Sequence, residues 1–144
     1  MKQRFRFERL ECWQGARVLN REIYKTTRRF PKEELYGITS QLRRASTSIS
    51  SNIAEGSGRN SDKDFAHFLE QAYGSAMEVA SLLYLALDEG FVSEGEADPL
   101  LAQIAAVYAK TAGLNRSLSV PTSKTPFPRK GAPAFGPRRS TFDK

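Results

Sequence analysis

Arginine and lysine side chains give this 144-residue chain its clearest chemical signal. A planar guanidinium donates two parallel hydrogen bonds to a phosphate, so clustered arginines favour phosphate contacts. Such contacts bind nucleic acid in a salt-dependent way and carry no base specificity. The same residues also fit a solvated basic face, or ion pairs with acidic helices of this chain or a neighbouring one, and their spacing leaves these interpretations open. The candidate nucleic-acid-binding residues are Arg28, Arg29, Lys32, Arg43, Arg44 and Arg59.

Within residues 36–59, polar side chains also recur at the spacing of one helical face and form a polar stripe. Serine, threonine and asparagine are mediocre helix formers, because their side chains compete for backbone hydrogen bonds. Exposed helix positions are more usually filled by alanine, lysine or glutamate, so we favour a subunit interface over a wet surface for this stripe. The candidate interface residues are Gln41, Arg44, Ser48, Asn52 and Glu55.

Residues for catalysis or metal binding are scarce. His67 is the only histidine and Cys12 the only cysteine, so the sequence offers no zinc-ligand set. The segment GSGR at 56–59 lacks the Gly-Lys-Ser/Thr ending of a phosphate-binding loop, and it follows a predicted helix rather than a strand. The serine-rich run has no nearby base to activate a nucleophile. We therefore predict a protein that is not an enzyme and that uses no metal or cofactor.

Four segments carry apolar residues at helical spacing, with short breaks between them. The first is predicted from Leu10 to Arg29. Pro31 then suits the first position of a second helix, which runs to about Glu55 with Gly56 as its C-terminal cap. The apolar face of this second helix comprises Leu35, Ile38, Leu42, Ala45, Ile49 and Ile53.

The third and fourth helices have recognisable ends. Ser61 is predicted to cap the third helix at its start, and Gly90 predicts a Schellman stop at its end. Asp98 and Pro99 are predicted to open the fourth helix as cap and first residue, with an earlier start near Ser93 as the alternative. Four helices joined by short loops predict an all-α fold, an antiparallel up-and-down four-helix bundle.

Each predicted helix also contains an interior glycine, which costs about 0.5–1 kcal/mol relative to alanine. Such glycines are either tolerated losses or points where backbones of two helices or two subunits approach closely, and the sequence leaves both interpretations open. They are Gly15, Gly37, Gly74 and Gly113.

The formal net charge of +6 is distributed unevenly. Residues 1–29 hold nine Lys or Arg against three Asp or Glu, whereas residues 61–118 hold three against nine. This polarity favours a polyanion partner on one surface, or head-to-tail contact between subunits. Residues 119–144 contain five prolines and six Lys or Arg against one Asp. We therefore predict a bundle domain at 1–118 and a basic, disordered, proline-rich tail at 119–144.

Targeting features point to the cytoplasm. No apolar stretch is long enough to span a bilayer, and the first residues lack the apolar core of a signal peptide. A single cysteine cannot form an internal disulfide, which fits a reducing compartment. We expect a cytoplasmic protein with no membrane partner.

Several separated motifs occur in an order that identifies a family. They are Trp13, Ile23-Tyr24, Phe30-Pro31, QLRRA at 41–45, SNIAEG at 51–56 and Gly74-Ser75. With them, residues Phe7 to Ser117 closely resemble the bacterial four-helix bundle proteins encoded in intervening sequences of 23S ribosomal RNA genes. Related proteins include the accessory variability protein of diversity-generating retroelements, which partners a reverse transcriptase and binds nucleic acid.

The resemblance implies a protomer that assembles into a ring, commonly a pentamer, with a basic surface. The family usually has proline within Ser-Ile-Pro-Ser-Asn, where this chain has Ser50, so we expect a straighter second helix. Together these observations predict a non-enzymatic, ring-forming protein that binds RNA or DNA through a basic surface, as an accessory factor beside a reverse transcriptase. The alternative is a structural homo-oligomer with charge pairing between subunits and no nucleic-acid role.

Overall fold

The computed structural model describes residues 1–118, and the predicted tail at 119–144 lies outside the described residues. One turn of 3-10 helix at Arg6–Arg9 precedes the first α-helix, and another at Lys32–Glu34 lies between the first two. The four α-helices are α1 (Glu11–Thr27), α2 (Ile38–Ser57), α3 (Asp62–Asp88) and α4 (Glu94–Ser117).

Each helix packs against the next, and α4 closes the arrangement against α1. Arg43, near the start of α2, donates a hydrogen bond to Thr27, at the end of α1. Gly15, near the start of α1, lies against Val107 in the second half of α4. Neighbouring helices therefore run in opposite directions, which confirms the predicted all-α antiparallel four-helix bundle.

Apolar side chains from all four helices fill the centre of the bundle. Most of the face predicted for the second helix is buried, but Leu35 is 48% exposed because it precedes the first turn of α2. The largest fully buried apolar side chains are Leu19, Ile23, Leu42, Ile49, Ile53, Phe65, Leu69, Val79, Leu83 and Ile104.

The predicted start of the second helix is wrong, and its predicted end lies two residues too early. Gly37 has φ −108° and ψ −122°, which are not helical angles, so α2 begins at Ile38 instead of Pro31. At the other end the helix continues through Gly56 to Ser57, and Gly58 occupies the C-cap position. The helix is unbroken across Ser50, and its predicted straightness stays a prediction.

The ends of α3 are confirmed. The Ser61 hydroxyl accepts a hydrogen bond from the backbone N–H of Asp64 at 3.1 Å, which caps the helix. Gly90 has a φ of 74°, and its N–H donates to the carbonyl of Leu87 while that of Phe91 donates to Ala86. These two bonds form the Schellman stop.

The predicted start of α4 at Asp98 and Pro99 is wrong, and the alternative near Ser93 is confirmed. The Ser93 hydroxyl accepts from the backbone N–H of Glu96 at 3.2 Å, and the Glu96 carboxylate accepts in return from the backbone N–H of Ser93. This reciprocal capping box fixes the helix start one turn earlier, so Pro99 lies inside the helix.

The glycines divide into two kinds. A Cβ at Gly15 would lie 3.2 Å from Cγ2 of Val107, so α1 and α4 approach closely there. A Cβ at Gly74 would meet no atom of the described residues within 4 Å. The tightest approach between two α-helices is at Gly56, which the sequence suggested only as a cap.

We expect Gly56→Ala to lower the free energy of unfolding by about 1–3 kcal/mol, because its Cβ would lie 2.7 Å from Cβ of Phe68 and 2.8 Å from the Phe65 ring. Gly74→Ala is the matched control, and we expect it to raise the free energy of unfolding by about 0.5–1 kcal/mol. Urea unfolding followed by circular dichroism measures both. A Gly56→Ala variant as stable as the wild type would contradict this packing.

Candidate nucleic-acid interface

An open groove of about 540 Å³ lies along the exposed side of α2 next to α1. Ser40, Arg44, Thr47 and Ser51 line it from α2, because residues three and four apart share a helix face. Tyr24 lines it from α1. We call this surface the α1–α2 groove, and it combines hydroxyl groups with a guanidinium.

Arg43 borders the groove and is held by α1. Its Nε donates a hydrogen bond to Oγ1 of Thr27 at 2.9 Å, and its guanidinium lies 4.6 Å from the centroid of the Tyr24 ring. Thr27 in turn donates to the carbonyl of Ile23 at 2.7 Å. The side chain is half-buried, and these contacts fix it before any ligand binds.

Arg44 differs from its neighbour. It is exposed, and within residues 1–118 it makes no hydrogen bond, ion pair or ring contact. Next to it, Thr47 donates to the side-chain oxygen of Asn20 at 3.2 Å, a second polar link between α2 and α1. The groove therefore has one fixed guanidinium and one that is available to an outside acceptor.

The other four predicted nucleic-acid residues do not line the groove. Arg28, Arg29 and Lys32 are exposed where α1 ends, and Arg29 forms an ion pair with Glu96 at the acidic start of α4. Arg59 lies just beyond the opposite end of α2, whose last residue, Ser57, is roughly 20 Å from Arg43 at about 1.5 Å per residue. Of the six candidates only Arg43 and Arg44 line the groove, and Arg28 and Arg29 directly follow Thr27, the residue that holds Arg43.

Arg59 has partners of its own. Its guanidinium pairs with the carboxylate of Glu55 at 2.9 Å and lies 4.7 Å from the centroid of the Phe68 ring. These contacts attach the turn between α2 and α3 to both helices.

The predicted interface stripe also makes contacts within the chain. The Ser48 hydroxyl accepts from the Ser75 hydroxyl at 2.8 Å and from Nδ2 of Asn52 at 3.0 Å, so these members connect α2 to α3. Gln41 and Arg44 are the two members with no polar contact inside residues 1–118. The role of the stripe as an interface stays a prediction.

Groups with catalytic potential are dispersed. The His67 ring is exposed and lies 3.2 Å from the Gln71 side-chain nitrogen. Cys12 is buried, and burial raises the pKa of its thiol, which disfavours the reactive thiolate. Within the described residues no group of three or more His, Cys, Asp or Glu side chains could hold a metal ion.

None of the four helices in residues 1–118 combines the length and the apolar character that crossing a bilayer requires.

Comparison with known proteins identifies a family and a fold. The family model described as 23S rRNA-intervening sequence protein matches residues 8–113. A solved structure of a protein of unknown function, from the S23 ribosomal protein family of Bacteroides thetaiotaomicron, has a TM-score of 0.66 at 18% identity. The match covers 74% of this chain and 99% of that one, and at this identity it shows the shared fold alone. The comparison with curated proteins finds no significant match.

We expect Arg43→Ala to lower the free energy of unfolding by about 1–2 kcal/mol, because it removes the bond to Thr27 and the contact with the Tyr24 ring. We expect Arg44→Ala to change it by less than about 0.5 kcal/mol, since this exposed side chain has no partner in the described residues. Chemical denaturation of both variants tests the difference. Equal losses would show that α1 does not hold Arg43.

Proposed function

The chain belongs to the 23S rRNA-intervening sequence protein family, and we propose that it is a non-enzymatic protein that assembles into a ring and binds RNA or DNA through the α1–α2 groove. The unpaired guanidinium of Arg44, beside the fixed guanidinium of Arg43, carries this proposal. On the resemblance to retroelement accessory proteins, we further propose that the ring is a pentamer and acts beside a reverse transcriptase.

The chemistry of the groove suits a phosphate backbone. Each guanidinium offers parallel N–H donors to phosphate oxygens, and the hydroxyls of Ser40 and Ser51 add neutral donors. Because Arg43 is already held by Thr27 and Tyr24, it loses little conformational freedom on binding. The proposed interaction is therefore electrostatic and independent of base sequence.

The distribution of charge supports the same face. Residues 1–60, which include α1 and α2, hold thirteen Lys or Arg against six Asp or Glu. Residues 61–118, which include α3 and α4, hold three against nine. A polyanion approaching the bundle is thus attracted to the α1–α2 side and repelled from the α3–α4 side.

We expect affinity for an RNA or DNA oligonucleotide to fall steeply with salt, and Arg44→Ala to weaken binding and reduce the slope of log K against log[salt] by about one. Arg29→Ala is the matched control, because Arg29 is paired with Glu96 at the end of the bundle. Fluorescence anisotropy at several salt concentrations measures both. Absence of binding at low salt, or equal losses in the two variants, would contradict the proposal.

A second candidate is a purely structural homo-oligomer, and the opposite side of the bundle favours it. A groove of about 440 Å³ between α3 and α4 combines the acids Glu94 and Asp98 with Tyr84 and Leu101. Tyr84 is 56% exposed. This α3–α4 groove complements the charge of the α1–α2 groove, so two copies can meet head to tail, and such contacts form a ring when the rotation closes.

Charge reversal on either groove tests this assembly. We expect Arg44→Glu alone, and Glu94→Arg with Asp98→Arg, each to lose assembly, whereas an equimolar mixture of the two variants regains it. In the mixture every contact between unlike variants again pairs opposite charges, so assemblies in which the two variants alternate re-form, whereas a closed ring with an odd number of subunits keeps at least one like-charged contact. Light scattering measures the mass of each sample, and Lys110→Glu, an exposed change of the same size on α4, serves as the control. A monomeric wild type would contradict assembly, and a mixture that stays monomeric would contradict head-to-tail pairing.

A further inference from the structure

The first residues of the chain present a row of aromatic rings that neither proposed role uses. Phe5 is 61% exposed, and its ring is stacked on that of Phe7 with centroids 5.7 Å apart and planes 6° from parallel. The Phe7 ring lies 4.8 Å from Trp13, which packs against the hydrophobic core. The three rings thus form a continuous series from solvent to core.

Hydrogen bonds hold this segment in one conformation. The Glu8 carboxylate accepts from the backbone N–H groups of Arg4 and Phe5, both at 2.7 Å. The Gln14 side chain donates to the carbonyl of Glu8 at 2.8 Å, which attaches the segment to α1. An exposed phenylalanine in a fixed backbone gives an incoming ring a ready surface to stack on.

Positive charge surrounds the rings. Arginines alternate with the phenylalanines at positions 4 and 6, and Arg9 follows in the same turn. The guanidinium of Arg17 lies 5.6 Å from the centroid of the Trp13 ring. Glu8 is the one acid among residues 1–10, and its carboxylate already accepts hydrogen bonds from the backbone N–H groups of Arg4 and Phe5. An aromatic surface amid several guanidinium groups attracts a ligand that is both flat and anionic.

We propose that Phe5 and Phe7 form a base-stacking site for single-stranded RNA or DNA, with the surrounding arginines contacting the flanking phosphates. The inference rests on the proposed nucleic-acid binding and adds to it the form of the strand and a second contact point. A duplex keeps its bases stacked inside, so only an unpaired strand offers a free base face.

The two contact points lie along one side of α1. Trp13 is near the start of that helix and Thr27, beside Arg43, is at its end, roughly 20 Å away at about 1.5 Å per residue. One strand can therefore engage Phe5 with a base and the α1–α2 groove with its backbone. Single strands then bind more tightly than duplexes of the same length.

Trp13 is the only tryptophan in the chain and its ring lies 4.8 Å from that of Phe7, so its fluorescence reports on this site through Phe7. We expect oligothymidylate to quench this fluorescence and a duplex of equal length to leave it unchanged.

We expect Phe5→Ala to weaken oligothymidylate binding about 5- to 100-fold with little effect on duplex binding, because base stacking is lost. Phe5→Tyr keeps a stacking ring and should restore affinity. Leu85→Ala, which removes an exposed apolar side chain from α3, should change neither.

The outcomes separate this inference from the function on which it rests. If no oligonucleotide binds, both fail. If Arg44→Ala weakens binding but Phe5→Ala does not, the backbone contact stands and the stacking site is wrong. If Phe5→Ala weakens single-strand and duplex binding equally, or Phe5→Tyr does not restore affinity, base stacking is likewise excluded.

Discussion

The close approach of α2 and α3 at Gly56 is the constraint on which much of the structure depends. Because this residue has no side chain, Phe65 and Phe68 pack directly on the α2 backbone. Each ring also contacts a guanidinium group. That of Arg59 lies over the Phe68 ring, and that of Arg6 lies 5.0 Å from the centroid of the Phe65 ring. The position of the N-terminal segment is therefore linked to the turn between α2 and α3.

Arginine has different physical roles at different places in this bundle. Arg43 links two helices through a hydroxyl and an aromatic ring, and Arg29 neutralises an acid at the start of α4. Arg44 alone of these three has no partner among the described residues. Net charge consequently overstates the number of guanidinium groups that are free to bind a ligand, and the distinction between structural and available arginines decides where a polyanion can be held.

The sequence contains enough information for the four helices and several of their ends, because apolar periodicity and capping residues are local signals. Ser61 and Gly90 were correctly predicted for that reason. The break at Gly37 is not predicted, because Pro31 is a favourable first residue of a helix and nothing local marks the later start. The predicted start at Asp98 is wrong because the reciprocal cap between Ser93 and Glu96 begins the helix earlier.

The candidate site was harder to predict, since it depends on contacts between helices. Spacing along α2 could not reveal that Arg43 meets Thr27, sixteen residues away, or that Arg29 meets Glu96. A local signal did exist for the N-terminal aromatic surface. The alternation of arginine and phenylalanine at residues 4–7 marks a segment that is both basic and aromatic, although only the structure shows its rings stacked beside Trp13.

The burial of Cys12 has a consequence for the motions of the bundle. Cys12 is 2% exposed and lies in the seam between α1 and α4, next to Lys110 and Leu114, and it is the chain's single cysteine. A thiol reagent can reach it only when that seam opens, so the labelling rate under native conditions gives the free energy of that local opening. Comparison with the free energy of global unfolding then tells whether α4 separates from α1 independently or only when the whole bundle unfolds.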